Sequence, residues 1–393
     1  MSEWKSFCLG DVCITNAKSY SKNDNWTFVN YLDTGNIAAN KIEDIQYINI
    51  LEEKLPSRAR RKVKTDSIIY STVRPNQRHY GIIKSQPKNF LVSTGFAVID
   101  VNSEIVDANF LYYRLTQDEV VQYLQSVAEQ STTAYPSIRP VDIENLKFSF
   151  PPLETQKKIA AMLSALDDKI ELNNAISKNL EEQSQAIFKN MFVDNFNPAW
   201  RRGTLGEFVE IKRGGSPRPI QDYLSDDGLR WLKISDVTSL ESPYVMKIKE
   251  HIKESGIDKT VFLNSGSLVL SNSATPGIPK ILDVDTCIHD GWLYFPESKF
   301  SKYFLYLYFK HIKKQLINLG NGSVFTNLKI EIVKSFPVIL PGEKTLRRFD
   351  ELIVPLFESM KNITHENKKL GEIRDALLPR LMSGEIDVSA VEI

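Results

Sequence analysis

Four side chains in one short loop, Arg74, Asn76, Gln77 and Arg78, carry hydrogen-bonding groups of the kind that read nucleobases. A guanidinium can bond guanine O6 and N7 with two N–H groups, and the carboxamides of Asn and Gln can grip adenine N6 and N7 in the same two-point manner. The loop follows a β-rich run, residues 67–73 (SIIYSTV), that would hold it in place, although a plain polar turn has the same composition. Upstream, Arg58, Arg60, Arg61 and Lys62 form a cationic run in SRARRKVK, suited to phosphate contacts and equally to a solvated surface. In the second half of the chain, Lys212, Arg213, Ser216 and Arg218 flank Gly214 and Gly215, where a bare backbone would allow close approach to a duplex. Asn272, Ser273 and Thr275, followed by Lys280, stand where Thr72, Arg74 and their neighbours stand in the first half. Thr132, Thr133 and Tyr135 correspond to residues 322–327, either as base contacts or as packing.

Bond-making chemistry finds less support. Asn197-Pro198-Ala199-Trp200 has the outline of an Asn-Pro-Pro-aromatic motif that holds a target amine, but the second Pro is missing and no glycine-rich cofactor loop precedes it. Gly342-Glu343-Lys344-Thr345 lacks the contiguous Gly-Lys and the upstream strand of a phosphate-binding loop, and reads as the opening of a helix. His79, His251, His289, His311 and His365 form no metal or nucleophile pattern, and His289 in HDGWL reads as a turn or core residue. Cys8, Cys13 and Cys287 are odd in number and lack zinc-like spacing, against both a disulfide framework and a structural metal. Lys plus Arg and Asp plus Glu number 49 each, so the net charge is zero. Any contact with nucleic acid must then come from cations clustered on one face or from a basic partner. No stretch reaches the roughly 18 apolar residues of a membrane span and the start MSEWKSF is unlike a signal peptide, so the expected location is the cytoplasm, with no membrane partner.

The elements that must position these loops are written twice. Trp4, Leu9, Gly10 and Asp11 return as Trp200, Leu205, Gly206 and Glu207 at a shift of 196, as do Gly95 and Gly291. Residues 138–192 align with 328–382 at a shift of 190 without a gap, matching Pro151 with Pro341, Ile159 with Phe349, Leu180 with Leu370 and Ala186 with Ala376. Two copies are too few for a solenoid and indicate a duplicated domain pair. Each copy opens with a mixed section. The first has β-rich runs at 67–73 and 90–100 and a helical stretch at 109–127, and the second has runs at 266–270 and 281–288 and an aromatic helix at 302–319.

Each copy closes with a long helix. Residues 154–193 contain no Pro or Gly, and Ile159, Leu163, Leu166, Ile170, Asn173, Ser177, Leu180, Ser184, Ile187 and Met191 recur at alternating four- and three-residue steps, a heptad seam. The second seam is Phe349, Ile353, Leu356, Met360, Ile363, Asn367, Leu370, Arg374, Leu377 and Leu381, with Pro355 expected to kink it and Gly384 to stop it. Such helices run about 60 Å at about 1.5 Å per residue, too long to fold back into a domain of about 150 residues. The expectation is an α+β chain: two mixed α/β globular domains, at 1–150 and 197–341, separated by two long helices, at 151–196 and 342–384, with a tail at 385–393. The helices pair as an antiparallel coiled coil, and the whole forms a dumbbell with a pseudo-twofold internal repeat.

The run from 151 to 198, with its PPL-x-x-Q-x-x-I opening and FKxxFVD close, resembles the central region of Type I restriction-modification specificity subunits, and RDALLPRLMSGEIDV at 374–388 resembles the end of their second helix. YSTVRPNQ, STGFAV, IKRGGSPRP, WLKISDV, LSNSATPG and HDGWL are similar to segments of that family's target recognition domains. The segment LPGEKTLRRF at 340–349 departs from the PPL-x-x-Q form. The resemblance implies a non-catalytic subunit in which each domain reads half of a split double-stranded DNA target and the helices set the gap. It also implies two methyltransferase subunits, which use S-adenosylmethionine, and translocating restriction subunits as partners, with no cofactor on this chain. A coiled-coil scaffold binding only proteins, and an autonomous methyltransferase or nuclease, are the competing readings.

Overall fold

A computed structural model describes residues 4–131, 135–320, 328–388 and 390–391. Thr132, Thr133 and the matching segment 322–327 lie outside the described residues. The chain divides into two compact units, one formed by Met1–Lys169 with Leu370–Ile393 and the other by Ile170–Lys369. The division cuts both long helices, so each unit owns one globular domain and a stretch of each helix.

The first unit holds two four-stranded sheets. One has the order Gln46–Asn49, Phe28–Leu32, Phe90–Ser93, Ala59–Lys62; the other runs Cys13–Thr15, Phe96–Val101, Ile68–Ser71, Tyr80–Ile82. The second unit repeats both orders and adds one strand to each. Glu250–Ile252, Leu229–Leu232, Thr286–Ile288 and Val261–Leu263 follow the first sequence, and Lys212–Arg213, Trp292–Tyr294, Leu268–Ser271 and Pro279–Leu282 the second. The repeat seen in the sequence is therefore a repeat of topology. Inner strands such as Ile68–Ser71 are buried at every position, as expected of β-branched runs covered on both faces.

The small two-stranded ribbons explain the duplicated Leu-Gly pair. Leu9 donates its N–H to Leu146 O and Leu205 donates its own to Phe336 O, the same bond displaced by the repeat. A Cβ on Gly10 would meet Glu144 at 3.3 Å, and one on Gly206 would meet Lys334 at 2.9 Å, so a side chain at either place would push two short helices apart.

Several expected elements are subdivided. The run 90–100 forms two strands, Phe90–Ser93 and Phe96–Val101, that belong to different sheets, and 281–288 likewise contributes to Pro279–Leu282 and Thr286–Ile288. The helix expected at 109–127 is two, Ala108–Leu115 and Asp118–Glu129, because Gln117 is extended and buried between them. Lys302–Gly320 forms the aromatic helix as expected.

The central helix is Leu153–Lys189, finished by a wider turn at Asn190–Asp194, and the C-terminal helix is Glu343–Met382, which continues through Pro355 without interruption. None of the seam residues is exposed. Within the first unit, Ile159, Leu163 and Leu381 share one core, and Arg374 Nη1 donates to Asp167 Oδ1 at 2.6 Å. Within the second, Phe188 packs on Phe349 with ring centres 6.2 Å apart, and Asn173 Nδ2 donates to Glu366 Oε2 at 2.9 Å and to Asn367 Oδ1 at 2.8 Å. In both units the helices pair with opposite chain sense. Gly384, at φ +77, ends the C-terminal helix in the left-handed conformation that glycine favours. The segment beyond it is no free tail, since Val388 is 1% exposed within the first unit's core.

Candidate nucleic-acid interface

In the first unit the base-reading loop is built from the strand Ile68–Ser71 outward. Buried Ser71 turns the chain by donating its hydroxyl to Val73 O at 2.9 Å and accepting the Val73 N–H at 3.2 Å. Arg74 and Arg78 then adopt left-handed backbone conformations, φ 49 and 56, on either side of the single turn Pro75–Gln77. Pro75 is buried beneath it, while Arg74, Asn76, Gln77 and Arg78 are all exposed. The Arg74 guanidinium lies over the Tyr135 ring, 5.1 Å from its centre, and Arg78 is paired with Asp118 at 2.8 Å. The Asn76 N–H donates to Gln125 Oε1 at 3.2 Å, which fixes the loop to the neighbouring helix. The side chains of Asn76 and Gln77 make no hydrogen bond among the described residues.

The cationic run is a strand, Ala59–Lys62, pairing antiparallel with Phe90–Ser93. Arg58 and Arg60 are exposed, whereas Arg61 and Lys62 are half-buried. Lys62 is held by Asp24 and lies over the Trp26 ring, 5.2 Å from its centre, and Arg61 Nε is buried. The run is thus not uniformly solvated: of its four cations only Arg58 and Arg60 are exposed.

In the second unit the candidates gather around a carboxylate the sequence did not single out. Ser216 donates to Asp290 Oδ1 at 2.7 Å, Arg218 reaches Asp290 Oδ2 at 3.4 Å, and Arg213 donates to the Asp290 carbonyl. Burial opposes ionisation of Asp290, but the Ser216 hydroxyl and the charge of Arg213 hold its carboxyl below the usual range. Lys212 is exposed and paired with Glu210 at 2.9 Å. Gly214 and Gly215 have an internal reason to be glycines: added Cβ atoms would lie 2.3 Å from the His289 carbonyl oxygen and 3.0 Å from that of Lys259. Close packing within the domain is by itself a sufficient reason for both.

Two candidates are structural. Asn272 is 3% exposed; its N–H donates to Gly291 O and its carbonyl accepts from Leu328, as Thr72 does with Gly95 and Ile138 in the first unit. Lys280 is 4% exposed and donates to the carbonyls of Leu240 and Ser242, so it faces the interior and not a phosphate. Ser273 and Thr275 are half-buried, and the Thr275 carbonyl accepts from Ser271 at 2.6 Å. Ser273 borders a cleft of about 760 Å³, also lined by Arg218, Gln221, Trp231, Lys233 and His289. Residues 216–221 line one part of it, and WLKISDV, the Ser273–Ala274 loop and His289 line the rest, a convergence that no linear motif displays.

The lookalike motifs stay structural. Gly342 opens the C-terminal helix, accepting from Thr345 at 2.9 Å. A strand, Pro337–Leu340, does precede it, contrary to the sequence reading, though the contiguous Gly-Lys is still missing. Asn197 Oδ1 accepts the Ala199 N–H at 2.9 Å in a turn before Trp200. Among the described residues no group of three His, Cys, Asp or Glu could hold a metal ion, and no helix is long and apolar enough to cross a membrane.

Two copies of one α+β topology, each presenting a differently furnished polar surface beyond the same inner strands, define a duplicated recognition protein. The chain belongs to the family described as Type I restriction modification DNA specificity domain, which matches residues 1–182 and again 197–374. It is similar to the Type I restriction enzyme HindI specificity subunit of Haemophilus influenzae, 26% identical across 98% of this chain and 100% of that protein. It is also similar to the MjaIX specificity subunit of Methanocaldococcus jannaschii, 24% identical across 72% of this chain and 70% of that one. The solved S subunit from M. genitalium shares the fold, with a TM-score of 0.58 at 14% identity, covering 97% of this chain and 96% of that one. The chain is a DNA-recognition subunit of the Type I restriction-modification class.

Proposed function

We propose that this chain reads a split, asymmetric DNA target, one half with each globular domain, and does no bond-making itself. Two methyltransferase subunits using S-adenosylmethionine dock on it and modify both halves, restriction subunits join the same core, and the assembly works in the cytoplasm. The lengths of the two helices set the gap. The observation that carries this reading is the pairing of identical framework with divergent surface. Arg74 and Ala274 each follow a buried serine by three residues in the same left-handed conformation, φ 49 and 56, yet one projects a guanidinium and the other a methyl group. Arg74, Asn76 and Gln77 read bases in the first half-site, and Arg60 neutralises phosphate.

Binding titrations of the assembled methyltransferase at two salt concentrations test this assignment. Gln77→Ala or Arg74→Ala is expected to lose about 1 to 3 kcal/mol on the matched first half-site per two-point contact, with little loss on mismatched DNA. Arg60→Ala is expected to weaken all sequences alike and flatten the salt dependence. Equal losses on matched and mismatched DNA for Gln77→Ala would remove it from the reading set. Failure of the assembled wild type to bind any duplex would favour a protein scaffold.

A further inference from the structure

The cleft in the second unit lies at the carboxyl ends of the parallel strands Leu229–Leu232 and Thr286–Ile288, where Trp231 is opposite Cys287 and Leu232 opposite Ile288. Chains leaving a parallel pair at this end diverge and leave room for a ligand. Trp231, 2% exposed, borders it, and its ring centre stands 5.9 Å from that of His289. Ala274 borders the opening. In the first unit the equivalent position, in the same left-handed conformation, carries Arg74, whose guanidinium lies over the Tyr135 ring.

Two of the groups left free in this cleft, Lys233 Nζ and His289 Nε2, can only donate, while Gln221, Ser235 and Ser273, which can also accept, line it too. His289 Nδ1 accepts the Gly291 N–H at 2.8 Å, which puts the proton of the neutral ring on Nε2, and burial lowers the pKa of the ring. Nε2 has no hydrogen-bond partner among the described residues. Lys233 gives one ammonium hydrogen to Glu250 at 2.5 Å and keeps two. Of the neighbouring carboxylates, Glu250 holds Lys233 through one oxygen while the other is buried without a partner among the described residues. Asp290, bound by Ser216 and Arg218, has an oxygen 3.7 Å from His289 Nδ1. Donors select an edge made only of acceptors. In the major groove guanine offers O6 and N7 as adjacent acceptors, whereas adenine beside its N7 offers an amino donor.

We propose that this cleft reads a guanine of the second half-site, with Lys233 and the Nε2–H of His289 as its donors. The proposal rests on the reading of the chain as a DNA-recognition subunit. Its test uses the full-length chain assembled with its methyltransferase subunits, titrated against duplexes in which each base pair of the second half-site is replaced in turn. Lys233→Met is expected to lower the preference for guanine at one position about tenfold or more, leaving first half-site preferences unchanged. Lys233→Arg, which can still bond guanine at two points, retains that preference. Ala274→Arg, placing in the cleft the side chain found at the equivalent position, abolishes it. Should Ala274→Arg fail to assemble, the Lys233 pair decides. A second half-site without a G·C pair, or a Lys233→Met variant that melts like the wild type and keeps its base profile, overturns the proposal. Wild-type protein with no base preference in either half would instead remove the DNA-reading assignment beneath it.

Discussion

Lys280 has the chemistry of a phosphate contact and the environment of a core residue. It lies on Pro279–Leu282, opposite Val269, where every position of both strands is buried, and burial pushes its ammonium down to about 7 from an ordinary value of 10.5. Between about pH 7 and 10.5 the unfolded chain therefore binds a proton that the folded chain does not, and stability rises with pH across that window. Below about 7 both states are charged, and the group adds no further pH dependence. Lys280→Met is expected to lose this rise between pH 7 and 10, and to cost about 1 to 3 kcal/mol where the Leu240 and Ser242 carbonyls are left without a donor. Urea melts at both pH values measure the two effects, and the salt dependence of DNA binding should not change. A loss of salt dependence would return Lys280 to the phosphate-binding set. The sequence placed Arg74 and Gln77 in a loop following a β-rich strand, and both side chains are exposed there. It misplaced Asn272 and Lys280 because equivalence between repeats was taken to mark a shared reading surface. Asn272 and Thr72 are equivalent because both carry the same backbone bonds. Readers of different half-sites belong where the copies differ, as at Arg74 and Ala274, and the Lys233–His289 cleft assembles residues 56 positions apart that no local pattern connects.

The helices were the most legible elements, since a heptad repeat states which face is buried before any partner is known. Their polar interruption was legible as an anomaly only; its partners come from the other helix. Asn173 is 2% exposed and donates to both Glu366 and Asn367, while Asn367 Nδ2 donates to Asn174 at 2.9 Å. A buried asparagine in a helix pair fixes register at some cost in stability. In the full chain Asn173→Ile leaves the Asn367 carbonyl oxygen without its donor, an expected loss of about 1 to 3 kcal/mol in thermal or chemical unfolding. The two units meet along the sequence at Lys169–Ile170 and Lys369–Leu370, so lengthening there preserves the contacts within each unit. One heptad inserted at both places keeps both seams in phase and adds about 10 Å, close to three base pairs of DNA. Methylome sequencing should show both half-sites retained and the gap widened. An assembled variant that methylates only the original spacing would show that helix length does not set the gap. The break at Gln117 and the packing of Ile386, Val388 and Val391 were illegible for a common reason: both depend on tertiary burial of short segments whose own periodicity is weak.

At the scale of the molecule, the first unit is not closed by the first half of the chain. Leu381, Met382 and Val388 complete its core from the far end of the sequence. A fragment of residues 1–196 lacks them, yet the gapless repeat at a shift of 190 offers a substitute, because Phe188 and Phe192 of a second copy can occupy the places of Leu378 and Met382. The fragment is therefore expected to form a homodimer through antiparallel central helices, and with methyltransferase to read an inverted repeat of the first half-site, since a twofold axis relates its two identical readers. The dimer should be weaker than the intact chain. It loses Val388, the Arg374 partner of Asp167, and the high effective concentration of a linked helix. Asn173 distinguishes the two assemblies. Its partners Glu366 and Asn367 correspond, after subtracting 190, to Ile176 and Ser177. In the fragment dimer Asn173 thus faces an apolar side chain and a short hydroxyl in place of a carboxylate and a carboxamide. The same substitution, Asn173→Ile, should destabilise the full chain and tighten the fragment dimer. Sedimentation across a concentration series measures the dimer, unfolding measures the full chain, and the methylated motif reports symmetry. A fragment that stays monomeric at high concentration with methyltransferase present, or a dimer whose motif lacks twofold symmetry, would refute the substitution of one helix for the other. A change of the same sign in both assemblies would show that Asn173 does not depend on Glu366 and Asn367.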